Sequence, residues 1–185
     1  MPDLLANRYE LQSKVADGPV AAIWRGVQHG EAGFVRPVAV RVLREPWDRD
    51  RAILGAWAAS ASDLAERGSP QIEQVLDVLV EAGRALVVSE WIGGISLRRW
   101  LAARARDGAP VPWQLATAIG VEVLRALVSA HACTPPLCHE GIGPGCVRLA
   151  RSGAVKVTRF GVAAALAVRG AGRRELEELS LLVPA

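Results

Sequence analysis

An α+β fold is predicted, strands first and helices afterwards, and three observations carry that prediction. Apolar and β-branched residues alternate or run together in short stretches up to Glu90. One helical pattern interrupts those stretches. Beyond Gly93-Gly94 the apolar spacing becomes helical almost throughout. Runs of strands followed by runs of helices form α+β layers or lobes and do not build a parallel doubly wound sheet.

Tyr9 to Val15 and Ala21 to Val27 read as two strands around the turn Asp17-Gly18-Pro19, and Pro37 to Leu43 as a third. Gly30-Glu31-Ala32-Gly33 is the loop between the last two. Asp48 is the expected cap of a helix with Ile53, Trp57, Ala61 and Leu64 on one face, ended by Gly68-Ser69-Pro70. Two further strands are expected over Val75 to Val80 and Ala85 to Glu90. Ser96 opens a short helix to Ala105, and Pro112 occupies the first turn of a longer one to His131. That helix carries Leu115, Ile119, Val123, Leu124, Leu127 and Val128 as a broad face for burial. A Gly/Pro/Cys-rich loop then leads to two short strands, Val147 to Leu149 and Ala154 to Thr158. Leu176, Leu179 and Leu182 put a final helix between Arg173 and Val183.

Composition narrows the function classes. With 51% hydrophobic residues in 185, the chain can bury a core and is not a disordered tail. No apolar run reaches the ~18 residues of a membrane span, and Met1 to Leu5 lacks the pattern of a signal peptide; a cytoplasmic protein is expected. The net charge of +3 is almost wholly arginine, because Lys14 and Lys156 are the only lysines. Arg98, Arg99, Arg104 and Arg106 cluster on a helix beside Trp100, which reads as a solvated face and carries no nucleic-acid motif. The three cysteines, Cys133, Cys138 and Cys146, are expected to be reduced thiols.

Six segments carry a resemblance when taken in order. They are YELQSKVADGPVAAIWRGV, VAVRVL, SPQIEQVLDV, VVSEWIGGISLRRWL, AHACTPPLCHEGIGPGCVRL and VKVTRFGVA. Together, from about Arg8 to Val183, they resemble the bacterial Ser/Thr protein kinases. They match the glycine-rich hairpin, the lysine strand, the strand after the regulatory helix, the hinge, the catalytic loop and the magnesium loop. The resemblance implies a two-lobe kinase-like fold. Residues 1–90 would form a five-stranded antiparallel N-lobe with one helix, and residues 91–185 an incomplete helical C-lobe.

The same matching shows which chemistry is missing. The glycine pattern G-x-G-x-x-G-x-V falls on Ala16, Gly18, Ala21 and Ile23, so only Gly18 remains to let backbone approach a phosphate. Arg41 stands in for the phosphate-binding lysine, and the helix that should supply its glutamate offers Ala59-Ser60-Ala61; no ion pair is expected. The catalytic pattern falls on His139-Glu140-Gly141-Ile142-Gly143-Pro144-Gly145-Cys146. Gly141 replaces the aspartate that orients the hydroxyl, Gly143 a lysine, and Cys146 a metal-holding asparagine. In Arg159-Phe160-Gly161 a cation replaces the metal-binding aspartate.

The resemblance therefore implies a pseudokinase, a catalytically inactive kinase-like domain acting as a regulatory or scaffolding protein-interaction module. It places Gly18, Ile23, Ala39, Arg41, Glu90, Ile92, Leu149 and Arg159 around a nucleotide pocket, with Ser89 a small gatekeeper beside an open back pocket. No cofactor is expected. Metal-independent ATP binding through Arg41 and Arg159 is the alternative to these positions being ordinary core. Only about a dozen residues separate Phe160-Gly161 from the next family-like helix, so the activation segment reads as largely deleted, unless Leu182 to Ala185 is the landmark that closes it. An apolar C-lobe surface around Ile119 and Leu127 is then expected to await a protein partner or a second copy. Two rival classes stand beside this reading. One is an atypical Ser/Thr kinase, for which Glu140 is the near carboxylate. The other is a metal-binding protein using His131, Cys133, Cys138, His139 and Cys146, whose spacing fits no usual zinc pattern.

Overall fold

The computed structural model describes residues 4–162 apart from positions 19, 46 and 82. The predicted helix near 173–183 and the alternative landmark at 182–185 lie outside the described residues. Nine strands and three α-helices are described: β1 (Leu4–Leu5), β2 (Tyr9–Asp17), β3 (Ala21–His29), β4 (Val35–Leu43), α1 (Arg51–Arg67), β5 (Val75–Glu81) and β6 (Arg84–Glu90) come first. After them come β7 (Gly94–Ser96), α2 (Leu97–Arg106), α3 (Trp113–His131), β8 (Val147–Ala150) and β9 (Val155–Val157).

The first six strands form one antiparallel sheet in the order β1-β2-β3-β4-β6-β5. It contains the five expected strands plus β1, a two-residue edge too short to show a period. Strand β4 is buried on both faces, because alternate residues enter different layers. Val38 and Val40 join Tyr9, Leu86 and Val88 on the outer face. Ala39, Arg41 and Leu43 face inward, where Leu43 and Val87 pack with Ile53, Leu54 and Trp57 of α1. A second sheet, β7-β8-β9, backs onto α2 and α3. Its core joins Leu64 of α1 to Ala126 and Ala130 of α3, Val157 of β9 and Phe160.

The start of α1 corrects the sequence reading. The cap is Asp50, whose Oδ1 accepts the N–H groups of Ala52 and Ile53 at 2.9 and 3.4 Å. Asp48 lies earlier, buried in the 3-10 turn Trp47–Arg49. That turn shifts the helix two residues on, to where Asp50 reaches the first free N–H groups. The other end is as expected: Gly68 takes the left-handed conformation, φ 60°, and its N–H returns to the carbonyls of Leu64 and Ala65.

The long helix α3 buries less than its pattern suggests. Ile119, Ala126 and Ala130 are buried and Val123 and Leu127 pack beside them. Leu124 and Val128 are 62% and 69% exposed, and Trp113 is 72% exposed. Among the described residues, no helix is long and apolar enough to cross a membrane.

Candidate functional site

The polar centre of the molecule is an ion pair between Arg41 and Glu73. Nη2 of Arg41 donates to both carboxylate oxygens of Glu73, at 2.6 and 2.8 Å, and its Nη1 donates to Oγ of Ser89 at 2.9 Å. Ser89 Oγ in turn donates to Glu73 Oε1 at 2.7 Å, and the backbone N–H of Arg159 adds a further donor. All three side chains are buried. Burial pushes the Glu73 carboxyl upward, but the Arg41 charge and these hydrogen bonds outweigh it and hold the group below the ordinary carboxylate range.

This pair corrects the expectation that Arg41 has no acidic partner. The partner comes from the segment between α1 and β5, and backbone pairing fixes it there. Glu73 N–H donates to Val157 O at 2.9 Å, and Val157 N–H donates to Gln71 O at 2.7 Å. Ile72 and Val157 form a parallel bridge, so the segment is threaded onto β9 just ahead of Thr158 and Arg159. Glu73 escaped the sequence reading because it stands in Gln71-Ile72-Glu73-Gln74, three polar residues about a single apolar one, a composition that ordinarily reads as a solvated connection. Glu73 lies two residues before β5, which is separated from Arg41 on β4 by β6, so strand neighbourhood gave no signal of the pair.

A cleft of about 270 Å³ opens beside the pair. It brings together Ile23, Ala39, Arg41, Glu90, Ile92 and Arg159 of the predicted pocket. Gly18 sits apart in the β2–β3 turn, where its N–H donates to Ala21 O at 3.0 Å. Ser89 is fully buried behind the wall, and the space expected to be an open back pocket is filled by the Arg41–Glu73 pair. Leu149 does not line the cleft; its neighbour Arg148 does. Adjacent residues of a strand point to opposite faces, so where the family resemblance put a leucine the cleft has the guanidinium of its neighbour. Nη2 of Arg148 donates to the carbonyls of Ile92 and Gly94, at 3.2 and 2.9 Å.

The loop from Cys133 to Cys146 is held by its own backbone and by the core. His139 is buried, its Nε2 bonded to Thr158 O at 2.9 Å and its ring edge-on to Phe160 at 4.8 Å. Burial pushes the His139 imidazole below its ordinary value. Cys146 is buried; its N–H donates to Gly143 O at 2.9 Å and its Sγ lies 3.5 Å from Gly141 O. Glu140 is exposed and does not line the cleft. The five-residue zinc cluster does not assemble: among the described residues no three His, Cys, Asp or Glu are placed to hold a metal ion. Cys133 Sγ turns toward Asp63 O and Ser129 O, His139 toward Thr158, and His131 and Cys138 lie exposed.

Magnesium does not fit this cleft. It requires a near-regular octahedron of oxygen ligands, built on one or two free carboxylates. Among the described residues, the carboxylates on the cleft wall are Glu73 and Glu90. Glu73 is engaged by Arg41 and Ser89, and Glu90 Oε1 accepts Lys156 Nζ at 2.6 Å and Gln74 N–H at 2.9 Å.

No protein-family model matches the chain. It is 28% identical over 160 residues to a probable serine/threonine-protein kinase of Clostridium perfringens, covering 86% of this chain and 22% of the relative. It is 30% identical over 165 residues to the probable serine/threonine-protein kinase PknB of Lactococcus lactis, covering 88% and 25%. With PknL of Mycobacterium tuberculosis it shares 29% over 164 residues, covering 89% and 39%. The chain thus spans roughly a quarter to two fifths of the length of these curated relatives. Among solved structures, the PknI kinase domain of Mycobacterium tuberculosis superimposes with a TM-score of 0.70 at 22% identity, over 88% of this chain and 61% of that one. Over most of its length, therefore, the chain is a homologue of the bacterial serine/threonine protein kinases, and its fold is protein-kinase-like.

Proposed function

We propose that this kinase-like domain transfers no phosphate and acts as a regulatory or scaffolding protein-interaction module. The observation that carries the reading is the fate of the carboxylates. Arg159 and Cys146 stand at the matched metal-holding positions, and the acids among the described residues that reach the cleft, Glu73 and Glu90, are each bound to a cation. Phosphoryl transfer depends on carboxylate-held metal ions to neutralise charge on the moving group. Gly141 has no side chain to orient a hydroxyl. The interaction role draws on α3, whose exposed Trp113, Leu124 and Val128 offer an apolar face to a protein partner or a second copy.

An atypical kinase is the second reading, and Glu73 is the specific observation that favours it, being a carboxylate beside Arg159 that matching by sequence did not find. Its engagement with Arg41 argues against a metal role. The two readings separate in one experiment: titration of ATP into the purified protein by calorimetry, with magnesium and then with EDTA, beside an assay of ADP release and autophosphorylation. The expected result is no transfer and no magnesium-dependent binding. Magnesium-dependent binding with transfer that disappears in Glu73→Gln would establish the kinase instead.

A further inference from the structure

We propose that the corner between α2 and α3 docks on an anionic lipid surface, the tip of α3 entering the headgroup layer while Arg104 and Arg106 hold its phosphates. The proposal goes beyond the protein-interaction role and does not depend on the state of the cleft.

From Gly108 to Val121 the sequence carries no charged residue. In water such a segment belongs in a core, yet from Asp107 to Ala118 every residue except Ala109 is exposed. For its first six residues, Trp113 to Ala118, α3 therefore has its whole circumference in solvent. Val111, Trp113 and Leu115 are the large apolar side chains of this tip, and Trp113 is 72% exposed. An uncharged apolar projection of this kind marks a surface that something else covers. The projection is also firm. Pro110 and Pro112 fix two backbone angles, Ala109 N–H donates to Arg104 O at 2.9 Å, and Arg104 Nη2 donates to Pro110 O. Little is left to order on contact.

Positive charge stands behind the tip. From Leu97 to Val121 there are four arginines and one acid, Asp107. Arg104 lies over the Trp100 ring at 5.1 Å, and its bond to Pro110 puts the guanidinium at the base of the tip, three residues before Trp113. Arg106 is exposed in the same last turn of α2. Neither arginine makes an ion pair among the described residues. An apolar tip backed by a cationic base repeats the layers of an anionic membrane, acyl chains and then phosphates. Six residues of helix rise ~9 Å, and interfacial apolar groups sink about 5–10 Å. Tryptophan favours that boundary, because its ring is apolar and carries one N–H donor. Guanidinium forks match pairs of phosphate oxygens. A protein partner would have to enclose a convex tip on all sides, whereas a bilayer is deformable and parts around it.

Co-sedimentation of the full chain with vesicles tests this, using phosphatidylcholine alone and an equal mixture of phosphatidylcholine and phosphatidylglycerol. Binding to the mixed vesicles is expected, weakened by salt and absent with phosphatidylcholine alone. It should fall about tenfold in Trp113→Ala and by about as much in Arg106→Glu, which replaces attraction by repulsion. Both side chains are exposed, so neither replacement disturbs the core. Leu124→Glu alters α3 about three turns further on and should leave vesicle binding intact. Quenching of tryptophan fluorescence by brominated acyl chains is expected in the wild type and should drop in Trp113→Phe. The proposal is overturned by no binding to the mixed vesicles, by equal binding to both vesicle types, or by binding unchanged in either corner variant. Binding lost as fully in Leu124→Glu would move the contact to the side of α3 and overturn it too. Self-association lost in Trp113→Ala, with no vesicle binding, would assign the tip to a second copy of the chain instead.

Discussion

Glu73 governs the site, and its replacement is expected to cost more than its size suggests. Glu73→Ala strands the Arg41 guanidinium in a buried setting, and breaking a buried pair from one side costs about 3–5 kcal/mol. Urea unfolding of Glu73→Ala beside the double variant Arg41→Met/Glu73→Met should show the double variant recovering most of that loss, because neither charge is then buried alone. The pH dependence has a definite sign. The folded carboxyl lies below its ordinary value of 4.5, so its stabilising effect is complete above that value and is lost as pH falls through the folded pKa. Acid unfolding followed by tryptophan fluorescence should therefore be shallower in the double variant. At this scale the sequence was half legible. Arg41, Gly141, Cys146 and Arg159 could be read as departures from a known pattern one residue at a time. Glu73 matters only through the partners the fold brings to it, and no spacing along the chain encodes those.

At the scale of elements, periodicity located five of the six strands of the main sheet and all three described helices, while boundaries and facing were less legible. Asp48 and Asp50 are equally good cap residues two positions apart, and the intervening 3-10 turn decided between them. Asp50→Ala is expected to destabilise by about 1 kcal/mol, the usual worth of an N-cap. Asp48→Asn should cost less, because Oδ1 of Asp48 has no hydrogen-bond partner among the described residues. Thermal melts of the two variants make the comparison. Strand β8 shows the sharper limit: the family resemblance put Leu149 at the pocket, the four residues Val147 to Ala150 are too short for alternation to check it, and Arg148 lines the cleft instead. Strand β7 was missed because Gly94-Ile95-Ser96 has no strand signal of its own and is ordered by pairing with β8.

For the molecule as a whole, two consequences follow from how the sheets are joined. The first concerns association. With Leu124 and Val128 open on α3, light scattering is expected to show self-association that falls in Leu124→Glu, whereas a monomer at all concentrations would remove the second-copy form of the partner proposal. The second concerns access. The pair behind Ser89 and the pairing of Ile72 with Val157 fasten the main sheet to β9 and the residues that follow it. A serine at residue 89 would advertise, to a chemist choosing ligands by sequence, room for a bulky substituent behind the hinge. That room is occupied by a guanidinium and a carboxylate. Compounds selected for the smallness of this residue should be refused, and only a variant that removes both charges, such as Arg41→Met/Glu73→Ala, should begin to admit them.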